Sequence, residues 1–112
     1  APFFDWGMPT IDCLSKVCHA CPGKLVIASG GVRHGLDAAK AIRLGAVMVS
    51  AAGPMLAHLV ADDWDLDTPK LEDFVTGWKQ QMALTLFLTG APNLAAFGGV
   101  EMRYDGDVIP PC

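Results

Sequence analysis

Two short apolar runs, each followed by small residues and then by a helical pattern, constrain the fold of this chain most. Leu25–Ala28 and Ala46–Ala51 have the length of strands and are apolar almost throughout. Strands that are apolar on both faces are typical of a parallel sheet covered by helices. The two runs therefore predict an α/β protein in which helices connect neighbouring parallel strands.

The helical patterns support this arrangement. A first helix is predicted to begin at Pro9-Thr10, with Thr10 as its N-cap, and to end before Pro22-Gly23. A second is predicted from Gly35 to Gly45, where a left-handed C-cap residue is expected. The other predicted elements are a strand end at residues 1–6, a helical turn at 56–59, a long helix over 68–88 and a last turn at 93–97. The order β-α-β-α-β-α fits right-handed crossovers, and both doubly wound sheets and barrels remain possible.

Composition indicates a chain that packs against something else. Of the 112 residues, 52% are hydrophobic and 18% are charged. A small free-standing domain exposes a large share of its surface and needs more polar residues than this. We therefore expect contact with the rest of a longer chain or with identical copies.

Charge and hydropathy exclude some functions. The net charge of -4 would repel a nucleic acid. No apolar run reaches the roughly 18 residues that a membrane-spanning helix needs. The first six residues also lack the basic region of a signal peptide, so a cytoplasmic location is expected.

The cysteines and acidic residues do not predict a metal site. Cys18 and Cys21 are spaced like half of a zinc site, but the sequence offers no convincing second ligand pair. Cys13 and Cys112 stand apart from any partner motif, and reduced cysteines are expected. The acidic stretch over residues 62–67 is predicted to be a solvated loop, because it lacks the spacing of a calcium-binding loop.

The ends of the two predicted strands favour a phosphate ligand. Ser29-Gly30-Gly31 follows the first strand, and Ser50-Ala51-Ala52-Gly53 follows the second. Small residues let a ligand approach backbone N–H groups, and the positive end of the following helix favours an anion. Two consecutive ends of this kind match the phosphate site after the last two strands of α/β barrels. A tight turn without a ligand is the alternative.

Two further candidate side chains, Arg33 and His34, lie just beyond the glycines. Arg33 could reach a phosphate as a charged donor. His34 is expected to be solvated at the mouth of the site. His19 and His58 lack a carboxylate partner in their motifs and are expected to be structural.

Three segments resemble one enzyme family. Ile27–Ala46 resembles the FMN-phosphate segment of flavin-dependent (β/α)8 barrels, which include lactate and glycolate oxidases and inosine monophosphate dehydrogenases. Asp5–Thr10 is similar to the Trp-Gly-Ile-Pro-Thr stretch of type 2 isopentenyl-diphosphate isomerases, and Leu84–Ala91, followed by Asn93-Leu94, is similar to the end of that enzyme. The three matches come in the same order as in the family. The resemblance implies that residues 1–97 are the C-terminal segment of a TIM (β/α)8 barrel, about its last two to three β/α units, and that residues 98–112 form an irregular tail.

This resemblance implies an activity and its cofactors. The family interconverts isopentenyl and dimethylallyl diphosphate, with FMN kept reduced by NADPH and with Mg²⁺ on the diphosphate. Its FMN-phosphate contacts fall here on the backbone N–H groups of Gly30, Gly31, Val32, Ala51 and Ala52. The family's basic residues, catalytic glutamine and Mg²⁺-binding glutamate lie upstream of Ala1, so no catalytic residue is expected in this chain and the segment alone should be inactive.

The alternatives are another FMN-dependent barrel, such as an α-hydroxy-acid oxidase or dehydrogenase, and a non-catalytic half-barrel that self-associates or binds a phosphorylated ligand.

Overall fold

Helices and strands alternate over residues 10–59, as the sequence predicts. The computed structural model describes residues 2–59 and 68–112, and the acidic loop predicted at residues 62–67 lies outside these ranges. In chain order the elements are α1 (Thr10–Ala20), β1 (Ile27–Ser29), α2 (Gly35–Arg43), β2 (Met48–Ser50), α3 (Ala52–Leu59), α4 (Thr68–Thr89), α5 (Leu94–Phe97), β3 (Met102–Tyr104) and β4 (Asp107–Ile109). The fold is mixed α/β, and the helices predicted to begin near residues 10, 35 and 68 are confirmed.

The strands β1 and β2 form a parallel pair with α2 as the crossover between them. Ile27 pairs with Met48, and Ser29 pairs with Ser50 at the carboxyl end. Helices α1 and α2 cover one face of the pair with a core that includes Leu14, Ala28 and Leu44. The parallel sheet predicted from the apolar runs is therefore confirmed for these two strands.

The strand end predicted at residues 1–6 is wrong for residues 2–6, the part that the structure describes. Residues 2–6 form turns, in which the Trp6 N–H donates to the Phe3 carbonyl at 3.2 Å. The Phe3 and Trp6 rings contact each other with centroids 5.3 Å apart. A strand needs the backbone of a neighbouring strand for its hydrogen bonds, and here these backbone groups bond locally instead.

The C-terminal residues form a hairpin, so the prediction of an irregular tail is wrong for residues 102–109. Strand β3 pairs antiparallel with β4, with Met102 opposite Ile109. Asp105 and Gly106 connect the strands with φ values of 53° and 84°. An Asp-Gly pair with positive φ at both residues is a strong hairpin signal, and it was present in the sequence. The boundary at residue 97 between barrel segment and tail stays a prediction.

Arg43 connects α2 to this hairpin. Its side chain is only 3% exposed. Its Nε donates to the Val100 carbonyl, and its Nη2 donates to the Ile109 carbonyl at 2.9 Å. The Arg43 side chain therefore bonds the end of α2 to the backbone just before β3 and to the last residue of β4.

Replacing Arg43 with leucine should loosen the hairpin. Arg43→Leu leaves the Val100 and Ile109 carbonyls without their donors, which should lower the free energy of unfolding by about 2 kcal/mol. Urea denaturation of the protein measures the change, and Lys16→Leu on the exposed side of α1 is the control. Equal stability of the Arg43 variant and the wild type would show that these hydrogen bonds do not hold the hairpin.

Within residues 2–59 and 68–112, no helix is both long enough and apolar enough to cross a membrane.

Candidate functional site

The ends of β1 and β2 lie side by side. Because Ser29 pairs with Ser50 in parallel register, the next residues of both strands leave the sheet at the same edge. Neighbouring strands are about 4.8 Å apart. Gly30 and Ala51 therefore begin two adjacent loops, as the sequence predicts for a phosphate site.

The first loop has a backbone that depends on glycine. Gly30 has φ +95° and Gly31 has φ +71°, a region that L side chains rarely adopt. A Cβ on Gly31 would meet no heavy atom within 4 Å, so the space beside it is open. Val32 ends the loop with a side chain that is 5% exposed, and this burial anchors the backbone.

Thr10 has a different role from the predicted one. The prediction of Thr10 as the N-cap of α1 is wrong, because Pro9 occupies that position. The Thr10 hydroxyl donates instead to the Gly30 carbonyl at 2.8 Å. Thr10 and the glycines also line one cavity of about 290 Å³ between α1 and α2. Local sequence reasoning missed this contact because it joins residues 20 positions apart.

Backbone N–H groups at the start of α2 already donate hydrogen bonds to side chains of the protein. The Arg33 N–H donates to Asp37 Oδ2 at 3.1 Å, and the Gly35 N–H donates to Gln81 Oε1 at 2.5 Å. The N–H groups of Gly31 and Val32, by contrast, have no acceptor in the described part of the chain. An anion at this edge would therefore meet the loop N–H groups rather than the first turn of the helix.

His34 caps α2. Its Nδ1 accepts from the Asp37 N–H at 3.2 Å, and its Nε2 lies 3.5 Å from Asp37 Oδ2. Its side chain is 49% exposed, in agreement with the expected solvated position. Histidine is not among the preferred N-cap residues, so the local sequence does not indicate this capping role.

Arg33 lines a different cavity from the glycines. Its neighbours there are His34, His58 and Trp78, and the cavity volume is about 540 Å³. Its backbone N–H is bonded to Asp37, as described above. Contact between the Arg33 guanidinium and a phosphate stays a prediction.

The second loop is short and leads directly into α3. Ala51 is half-buried, and Ala52 is exposed and begins the helix. The Met55 N–H donates to the Ala51 carbonyl at 3.3 Å, which starts the helical hydrogen-bond pattern. The first N–H groups of a helix have no partner within the helix, and α3 begins at the sheet edge where the Gly30 loop also begins.

The other two histidines make local hydrogen bonds. His19 Nδ1 donates to the Ser15 carbonyl at 2.7 Å, and His58 Nδ1 donates to the Pro54 carbonyl at 3.0 Å. His58 also contacts the ring of Phe74, with centroids 5.1 Å apart. These contacts agree with structural roles. Over the described ranges, no three His, Cys, Asp or Glu residues are grouped so that they could hold a metal ion.

Cys18 and Cys112 are neighbours, although the sequence places Cys112 apart from any partner. A Cβ on Gly45 would lie 2.7 Å from the Cys18 sulfur and 3.3 Å from the Cys112 sulfur. Both cysteines are free thiols, as expected. Burial, followed by the hydrogen bond and the charge of Cys112, raises the pKa of Cys18 from 9.0 to about 11.

The raised pKa of Cys18 predicts a pH-dependent contribution to stability. The folded protein favours the protonated thiol, so this stabilisation should be complete below about pH 9 and lost as the pH rises to about 11. We expect the stability difference between wild type and Cys18→Ala to shrink over this range. Urea denaturation of both proteins from neutral to alkaline pH measures it, and Cys13→Ala at an exposed position is the control. A difference that does not change with pH would contradict the prediction.

Comparison with known proteins places this arrangement in a family. The family of FMN-dependent dehydrogenases matches residues 3–102. The chain is 43% identical over 101 residues to the isopentenyl-diphosphate delta-isomerase of Xanthobacter autotrophicus. This alignment covers 89% of this chain and 28% of that protein. It is 40% identical over 110 residues to the enzyme of that name from a Synechococcus species, covering 98% of this chain and 28% of the relative. The resemblance to isopentenyl-diphosphate isomerases is thus confirmed, over about a quarter of the relatives' length. The chain belongs to the FMN-dependent dehydrogenase family.

Proposed function

We propose that this chain is the C-terminal segment of an FMN-dependent isopentenyl-diphosphate isomerase and that it holds the FMN phosphate. One structural observation carries the proposal: two adjacent strand ends lead into small-residue loops at one sheet edge, where the Gly31 and Val32 N–H groups have no acceptor among the described residues. The names of the relatives support the reaction, and the FMN-dependent family supports the cofactor.

The proposal includes a position in a (β/α)8 barrel. In support of it, β1, α2 and β2 form a parallel β/α/β unit, which is the repeating unit of such barrels. Apolar side chains of the sheet are also uncovered: Ile27 is 59% exposed and Met48 is 61% exposed. Further strands of a barrel would bury this surface, and contact between copies of the chain is the alternative cover.

The phosphate contacts are assigned to backbone atoms. The N–H groups of Gly30, Gly31 and Val32 would donate to the phosphate oxygens from one loop, and those of Ala51 and Ala52 would donate from the other. Backbone donors need no charged side chain, which suits a protein whose net charge is -4. When bound, the flavin would supply a group that takes and returns a proton without net oxidation of the substrate. The role of this chain is to fix the position of that group and to exclude water around its phosphate.

The remaining components of the activity are assigned to the rest of the protein. By resemblance, the isoprenoid diphosphate, the Mg²⁺ bound to it and the NADPH that reduces the flavin would be held outside these 112 residues. The cytoplasmic location and a homo-oligomeric state stay predictions from the sequence.

An isomerase assay on the full-length protein tests the proposal. We expect conversion of isopentenyl diphosphate to dimethylallyl diphosphate that requires FMN, NADPH and Mg²⁺. The same preparation should be offered an α-hydroxy acid, because the family also includes dehydrogenases. Oxidation of the hydroxy acid without isomerisation would assign a different reaction to the same cofactor site. A protein that binds no FMN would reject the proposal altogether.

A further inference from the structure

The contact between Thr10 and Gly30 links helix α1 to the candidate phosphate loop. Thr10 is the first residue of α1, and its hydroxyl donates to the Gly30 carbonyl at 2.8 Å. The Thr10 Oγ1 would lie 3.2 Å from a Cβ on Gly30, so the hydroxyl fits closely against the loop. The helix itself does not use this hydroxyl as a cap, because Pro9 occupies the N-cap position.

The geometry of the peptide bond gives this contact a consequence for ligand binding. The Gly30 carbonyl and the Gly31 N–H belong to the same peptide unit, and no peptide bond in the described chain is cis. In a trans peptide the carbonyl and the following N–H point in opposite directions. When Thr10 holds the carbonyl toward α1, the Gly31 N–H must point away from α1.

The loop needs such a restraint because its glycines allow other conformations. Gly30 and Gly31 both have positive φ, and glycine moves between positive and negative φ at little cost. Rotation of the Gly30–Gly31 peptide unit would change the direction in which the Gly31 N–H points. A hydrogen bond from a side chain outside the loop selects one orientation before a ligand arrives.

We propose that Thr10 is a positioning residue for the FMN phosphate: its hydroxyl fixes the Gly30–Gly31 peptide unit so that the Gly31 N–H faces the phosphate. This inference rests on the proposed function of the loop. It assigns Thr10 no direct contact with the cofactor, and it predicts an effect confined to the phosphate end of the ligand.

The test compares two flavins on variants of the full-length protein. FMN carries the phosphate, whereas riboflavin has the same ring system without it. Thr10→Val removes the hydroxyl with little change of shape, and Thr10→Ser keeps it. Titration followed by flavin fluorescence gives the Kd of each ligand. We expect Thr10→Val to weaken FMN binding about tenfold, to leave riboflavin binding within about twofold, and Thr10→Ser to match the wild type.

Three other outcomes would contradict the inference, and each would give a different pattern of Kd values. An equal loss of affinity for FMN and riboflavin in Thr10→Val would mean that Thr10 only supports the fold. If Thr10→Ser lost as much FMN affinity as Thr10→Val, the hydroxyl would not be the group that matters. A wild type that binds riboflavin as tightly as FMN would refute the phosphate site itself, and the inference with it. Thr10→Ala, which removes the hydroxyl without a branched methyl group, replaces Thr10→Val if that variant does not fold.

Discussion

Gly30→Val should abolish FMN binding by the full-length protein. Gly30 has φ +95°, and a side chain in this conformation costs about 1–3 kcal/mol. A Cβ there would lie 3.2 Å from the Thr10 hydroxyl, so the branched side chain of valine would also separate Thr10 from the Gly30 carbonyl. Together these effects should weaken FMN binding by about a hundredfold or more. The flavin content of the purified variant and its FMN Kd measure the loss.

Gly23→Val is the matched control for this substitution. Gly23 also has a positive φ, +75°, and a Cβ there would meet nothing within 4 Å. It lies in the turn between α1 and β1, at the opposite end of β1 from Gly30. We expect a similar backbone cost to stability with unchanged FMN affinity. Normal flavin content in Gly30→Val would place the phosphate elsewhere, and loss of flavin in both variants would make the effect one of folding.

Gly35→Ala should have the largest effect on stability. Gly35 begins α2 where this helix meets α4, and its N–H donates to Gln81 Oε1. An added Cβ would overlap the Trp78 backbone carbonyl and would lie 2.7 Å from the Gln81 Cβ. A backbone carbonyl cannot move without displacing its helix, so α2 and α4 must separate. We expect a loss of about 3 kcal/mol in the free energy of unfolding, measured by urea denaturation.

Gly77→Ala shows whether this effect comes from the helix contact. Gly77 lies within α4, one residue before Trp78, and a Cβ there would meet nothing within 4 Å. Alanine favours a helix interior over glycine, so this variant should be about 0.5–1 kcal/mol more stable than the wild type. The prediction fails if Gly35→Ala and Gly77→Ala have the same stability.

Much of the local structure could be predicted from the residues themselves. The apolar runs predict β1 and β2, because strands of a parallel sheet covered by helices are apolar at successive positions. The two strands form, but this chain leaves apolar residues of both uncovered, since Ile27 is 59% exposed and Met48 is 61% exposed. Gly45 was predicted to adopt a left-handed conformation at the end of α2, and it has φ +112°. The adjacent small-residue ends at Gly30 and Ala51 follow from the parallel order of the strands. The roles of these residues in binding a phosphate stay predictions.

The predictions were wrong where the structure of a segment depends on a hydrogen-bond partner far away in the sequence. Thr10 is a good N-cap type, but its hydroxyl bonds to Gly30 instead. Residues 1–6 are apolar enough for a strand, but a strand forms only where another strand supplies backbone partners. Asp105-Gly106 indicates the hairpin at residues 102–109, but its two strands have only three residues each, which is too few to show an apolar alternation.

The sequence by itself determined the β1-α2-β2 unit, the long helix α4 and the glycines at which the chain turns, because these depend on side-chain period and on backbone freedom within a few residues. Only the tertiary structure decided which groups meet across the chain. Gly35 with Gln81, separated by 46 positions, and Arg43 with Ile109, separated by 66, are such pairs. A periodic pattern shows that a face is buried without showing what covers it. The restraint on the candidate phosphate loop depends on such a distant contact, and so it became visible only in the folded chain.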